Sequence, residues 1–185
     1  MKKTLLGAVA LSVIMLVMPN AHAQDFKPYA GIGLGEYNFK TGGTGGDKRV
    51  FGGFGQFGVD IGEYYGAELR LGSSTTTSYP NGAATEESRL DYIFSYLAKA
   101  QFPVSPEFRI YALVGGSTGK VTSHLITPGF LYVATGTNTI STTQTSFSFG
   151  GGLDFLIYDK LSIGAEYMRY YSDVQGYSAN LKYSF

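Results

Sequence analysis

From Tyr29 to Phe185, bulky apolar side chains recur at every second position in segments of about ten residues, and this period of two constrains the fold more than any other feature. Successive side chains on a strand point to opposite faces, so a period of two means strands with two chemically different faces. The residue supply agrees: 26 Gly, 15 Tyr and 13 Phe in 185 residues disfavour helix and suit strands with one crowded face.

Eight such segments are expected. They cover about residues 29–39, 49–61, a third carrying Tyr65, Ala67, Leu69 and Leu71, then 89–102, 108–121, 143–158, 161–171 and 177–185. Their connections alternate between long and short. Residues 40–48, 72–88 and 122–142 are long, polar or Gly-rich, the third folding back as a hairpin near Pro128-Gly129. Residues 62–64, the Pro103 to Pro106 turn and Asp159-Lys160 are tight, and the last connection, 172–176, is unusually short for an outer loop. An even strand count with alternating short and long connections is the layout of a bacterial membrane barrel. The expected fold is therefore all-β, an eight-stranded antiparallel up-and-down transmembrane β-barrel.

The N-terminus supplies an address. Lys2 and Lys3 precede an apolar run from Leu5 to Met18, followed by Ala21-His22-Ala23, the pattern of a cleavable secretory signal peptide. That run is shorter than the roughly 20 residues of a membrane-spanning helix. Cleavage after Ala23 is expected, with Ala21 and Ala23 as the small residues of the site. Residues 24–185 then form a single barrel domain with 12 basic against 14 acidic side chains, a net charge of −2 once Lys2 and Lys3 are removed. No basic surplus points to nucleic acid. The absence of Cys leaves no disulfide to hold an exported fold and no thiol to carry a lipid anchor.

The chemistry of the two faces separates a membrane barrel from a soluble sandwich. Here the aromatic and aliphatic residues share one face, while Gly, Ser and charged residues share the other. Glu68, Arg70, Lys99, Arg109, Asp154, Glu166 and Lys182 fall on the polar face and are expected to pair in an enclosed interior. Lipid outside demands closure, because it cannot satisfy open strand edges. The C-terminus is the most specific segment: Tyr177, Ala179, Leu181, Tyr183 and Phe185 alternate with Ser178, Asn180, Lys182 and Ser184. That pattern is similar to the assembly signal of Gram-negative outer-membrane barrels, which implies a meeting with the barrel assembly machinery during insertion.

Over nearly the whole mature chain the layout resembles the OmpA/OmpX-like outer-membrane β-barrel family, which includes opacity-type proteins and surface antigens. The stretches that carry the resemblance are residues 29–35 (YAGIGLG), 66–70 (GAELR), 108–116 (FRIYALVGG), 150–154 (GGGLD) and the terminal strand. The resemblance implies a monomer in the outer membrane, in contact with its lipid and lipopolysaccharide. Nothing similar to the peptidoglycan-binding domain of larger members follows Phe185, so no wall-tethering role is expected.

Eight strands enclose an interior just wide enough for side chains to fill it. A wide pore is not expected, and a narrow ion-conducting path through the inner charges is the alternative. A lipid-modifying enzyme would need His beside Ser and an acid at the rim. The mature chain offers only His124, next to Ser123, and adjacent strand residues point to opposite faces. No cofactor, metal or phosphate-binding pattern is visible, and Gly42 to Gly46 lack the Lys-Ser/Thr ending of a phosphate loop. The external loops remain. Phe130, Leu131, Tyr132 and Val133 in the third loop form an apolar stretch that is a candidate contact for a host or envelope ligand. A surface antigen, an adhesin-like protein or a structural envelope protein is the expected class.

Overall fold

The computed structural model describes residues 26–39, 48–81, 84–127, 136–171 and 174–185, and within these the chain forms nine strands. They are β1 (Phe26–Phe39), β2 (Lys48–Ile61), β3 (Tyr65–Ser74), β4 (Thr77–Asn81), β5 (Ala84–Pro103), β6 (Phe108–Thr127), β7 (Gly136–Tyr158), β8 (Leu161–Tyr171) and β9 (Val174–Ser184). The expected leader, with Ala21 and Ala23, lies outside the described residues.

All strand pairs are antiparallel, and the sheet closes twice over. β1 pairs with β9 from Tyr29↔Ser184 to Phe39↔Val174, and β3 pairs with β5 across the gap that β4 leaves. β4 continues the stave begun by β3 after a break at residues 75–76, so the barrel has eight staves. The break is held by Thr75, whose amide and hydroxyl both donate to the Phe51 carbonyl at 2.8 and 2.9 Å. A second tie runs from the Leu90 amide to the Ser74 hydroxyl at 2.8 Å.

One end of the barrel is trimmed short. The turn after β2 uses Gly62 at φ 64°, a left-handed conformation that costs glycine little. The turn after β6's neighbour β5 is closed by Val104 and Ser105 amides donating to the Phe108 carbonyl at 2.9 and 3.1 Å. The other end is long, and here the strands exceed the sequence expectation. β5 begins at Ala84 rather than near residue 89, β6 runs to Thr127 rather than 121, and β7 starts at Gly136 rather than 143. The reason is physical. Alternation of hydropathy stops where the apolar belt stops, but the ladder of backbone hydrogen bonds continues, and Ser/Thr-rich segments carry it in water. Similarly, β9 starts at Val174, earlier than its apolar alternation suggests.

The faces sort as their chemistry requires. Ile32, Phe57, Leu71, Phe102, Phe147 and Tyr177 are among many large apolar side chains that are more than half exposed on the outside. Inside, the half nearer the long hairpins is filled by an apolar cluster that includes Tyr37, Val50, Leu90, Ile93, Met168 and Tyr171. The half nearer the tight turns is filled by charge.

Candidate functional site

The inward positions of β2, β3, β5, β6, β7, β8 and β9 bring four acids and four bases together: Asp60, Glu68, Asp154 and Glu166 against Arg70, Lys99, Arg109 and Lys182. Arg70 is the hub. Its Nη2 donates to Glu166 Oε2 at 2.6 Å, its Nη1 and Nε meet Glu166 Oε1 and Glu68 Oε1, and its guanidinium carbon lies 4.8 Å from the centre of the Phe54 ring. The fork-on-fork geometry is the one a guanidinium makes best with a carboxylate. Two tyrosines complete the acceptors: the Tyr29 hydroxyl donates to Glu68 Oε2 at 2.6 Å, and that of Tyr111 to Glu166 Oε2 at 2.9 Å.

Nearer the tight turns, Lys182 Nζ donates to Asp154 Oδ2 at 2.8 Å and sits 4.4 Å from the centre of the Tyr111 ring. Lys99 pairs with Asp60 and lies 4.4 Å from the Tyr29 ring. Asp60 and Lys99 belong to β2 and β5, on either side of β3, and the inward residue between them is Gly66. A Cβ at Gly66 would stand 3.0 Å from Lys99 Cε and 3.1 Å from Asp60 Oδ1, so the bare backbone makes room for the pair to cross the strand. Arg109, half-exposed at the end, reaches Asp60 Oδ2 at 3.4 Å.

All seven polar residues singled out in the sequence therefore lie inside, six buried and Arg109 at the mouth. The sequence reading omitted Asp60, Tyr29 and Tyr111 from the set. Their parity was the available signal: Asp60 shares a face with Gln56 and Gly58, Tyr29 with Gly31, and Tyr111 with Arg109.

At the opposite end β5, β6 and β7 rise beyond the barrel wall with β4 at one side. β6 and β7 pair continuously from Phe108↔Phe155 to Thr127↔Gly136, whereas β8 accompanies β7 only up to Phe149↔Arg169. Residues 136–146 of β7 thus form a sheet edge with no strand beside it among the described residues, roughly 35 Å long at the usual rise per residue. The side chains of residues 139–145 are exposed, and the edge segment GTNTISTTQTS has neither charge nor Pro. Ser123 bonds Ser88 at 3.1 Å and His124 Nδ1 bonds Thr139 at 2.9 Å, so the two neighbours do face different partners. Phe130, Leu131, Tyr132 and Val133, between β6 and β7 in the sequence, lie outside the described residues. In β9, Tyr177, Ala179, Leu181, Tyr183 and Phe185 all point outward, with Tyr183 and Phe185 rings edge to face at 5.7 Å.

Comparison with known proteins follows the same geometry. The family described as outer membrane protein beta-barrel domain matches residues 7–185. Among solved structures, the chain is similar to Ail, the attachment invasion locus protein of Yersinia pestis, at 19% identity and a TM-score of 0.61 over 87% of this chain and 99% of that one. Neisserial surface protein A matches at 12% identity and a TM-score of 0.55, covering 85% and 97% of the two chains. The N-terminal β-barrel domain of Pseudomonas aeruginosa OprF matches at 13% identity and 0.50, covering 85% and 97%. No protein of curated function matches the sequence.

Proposed function

The chain belongs to the outer membrane β-barrel domain family, and from that premise we propose that it is a surface-displayed, adhesin-like protein whose working part is the sheet of β4, β5, β6 and β7. The family and the barrel place it in the outer membrane. The single observation that carries the reading is the β7 edge, residues 136–146, which no strand accompanies among the described residues and which rises beyond the wall. An unpaired strand edge presents its amides and carbonyls as a template for another strand. Native proteins usually blunt such edges with Lys, Pro or a covering loop. This edge carries none of the first two, and its Thr-rich side chains favour extended pairing while remaining soluble.

Ail, similar in fold, is an attachment protein by name and has been solved with the heparin analogue sucrose octasulfate. That supports attachment as the class of activity for this chain, with the ligand set by its own loops. The barrel below serves as a filled scaffold, its monomeric closure leaving no open edge within the membrane. Deleting residues 126–137 and placing Pro at Thr139 and Thr143 of the remaining edge tests the reading. Binding of cells bearing the refolded barrel to host cells or matrix is expected to fall to background, while folding, judged by heat-dependent gel mobility, persists. Unchanged binding by the deletion variant would leave a structural envelope role instead.

A further inference from the structure

We propose that the outer wall over β1, β2 and β3 holds one acyl chain of an outer-leaflet lipid in a groove floored by glycine. The inference is independent of the adhesin reading and uses only the membrane position of the barrel. Along β2 the outward positions run Arg49, Phe51, Gly53, Gly55, Phe57, so two glycines lie between two phenylalanines, Gly53 flanked by the Leu34 side chain and Gly55 open. In register with them stand Leu34 and Ile32 on β1 and Leu71 on β3, with Phe94 of β5 beyond. These residues line two adjoining hollows of about 580 and 530 Å³ that share Gly55 and Leu71.

Gly116, also outward, is covered by the Tyr96 side chain, whereas a Cβ at Gly55 would meet nothing within 4 Å. Counting from the tight turn after β2, Gly55 and Gly53 lie in the half of the belt nearer the long hairpins, which is the outer leaflet.

Width selects the occupant. Strands β1 and β3 lie two interstrand spacings apart, about 9.6 Å between axes, and their side chains narrow the gap further. A helix is about 10–12 Å across with its side chains and cannot reach the glycine floor, whereas a single hydrocarbon chain can. Polarity along the groove agrees. Its upper end reaches Ser73 and Asp91, and Asp91 is held by Arg89 Nε at 2.7 Å, the Thr122 hydroxyl at 2.8 Å and Lys120 Nζ at 3.5 Å. An apolar trough ending in a rim with two cations and one carboxylate matches a chain whose anionic head lies at the interface.

The test is photolabelling of the refolded protein in phosphatidylcholine nanodiscs containing a trace of lipid with a diazirine in its acyl chain. One arm uses lipid A, the expected occupant because its phosphates supply the anionic head the rim fits, and the other phosphatidylethanolamine; equal or stronger signal from phosphatidylethanolamine would overturn that assignment. Labels are expected on Ile32, Leu34, Leu69 and Leu71 several-fold above those on Val114 and Leu153 of the opposite wall. Gly55→Leu fills the trough and is expected to remove that excess, whereas Ala165→Leu on β8, outside the trough, leaves it. Leu71→Ala widens the trough and is expected to raise labelling, which keeps the test open if Gly55→Leu does not fold. Even labelling around the belt, or labelling indifferent to both groove variants, would overturn the proposal. So would a wild-type dimer that Gly55→Leu dissociates, since the groove would then be a protein contact.

Discussion

Arg70 is held by two glutamates and faces the Phe54 ring, which makes it the side chain on which the interior charge most depends. The gain from burying such a pair is small, because desolvation opposes it, but removing one partner strands the others in low dielectric. Arg70→Gln should therefore cost about 3–5 kcal/mol in urea unfolding of the refolded barrel. Arg70→Lys keeps the charge and loses the fork, and should fall between the two. A loss below 1 kcal/mol for Arg70→Gln would mean that water, rather than Arg70, satisfies Glu68 and Glu166. The crossing at Gly66 is a second residue-scale test. Gly66→Val places side-chain carbon where Lys99 passes to reach Asp60, and should lower the urea midpoint more than Gly55→Ala, which meets open space. Which residues faced inward was legible in the sequence, because parity alone decides it. Which acid met which base was not: Asp60 reaches Lys99 over an intervening strand, a relation fixed by register and stagger rather than by position along the chain.

Within the apolar cluster, between Leu97, Leu113 and Met168 on the turn side and Leu90 and Ile93 on the hairpin side, a line of hydroxyls stitches neighbouring strands together. Ser95 of β5 bonds Ser117 of β6 at 2.6 Å, Ser148 of β7 bonds Ser117 at 2.7 Å, and Ser148 also donates to the Tyr170 carbonyl of β8 at 2.8 Å. All three serines are fully buried. Ser117→Ala removes the middle member and leaves two hydroxyls short of a partner, an expected cost of about 1–3 kcal/mol in the same unfolding assay. Ser95→Ala, at the end of the line, should cost less. The element scale also explains where sequence reading fell short. Residues 84–88, 122–127 and 136–142 were expected as loop because no apolar alternation marks them, yet they are strand. In water neither face needs to be apolar, so the pattern that identifies a membrane strand vanishes while the hydrogen-bond ladder persists. The β7 edge, on which attachment rests, lies in that unmarked zone and was not legible.

For the whole molecule, the arrangement of the two halves decides whether anything crosses. Four acids face four bases nearer the tight turns, giving a neutral network with its charges engaged in pairs. Above it, Leu90, Ile93, Leu97, Leu113 and Met168 close the lumen with side chains that are at most 4% exposed. An ion leaving the network toward the hairpins would meet a mainly apolar layer whose buried serine hydroxyls are bonded to one another and too few to replace its hydration shell, a cost of several kcal/mol even after relaxation. Pure refolded protein in planar bilayers is therefore expected to give no unitary conductance steps, and Arg70→Gln, which disturbs only the charged half, should be equally silent. Met168→Ala hollows the apolar layer instead, costing about 2–5 kcal/mol through the cavity it leaves. Steps that appear with Met168→Ala but not with Arg70→Gln would identify the apolar layer as the seal. Steps already present in wild type would show that the layer opens on its own, and the barrel would then be a conducting pore as well as a scaffold.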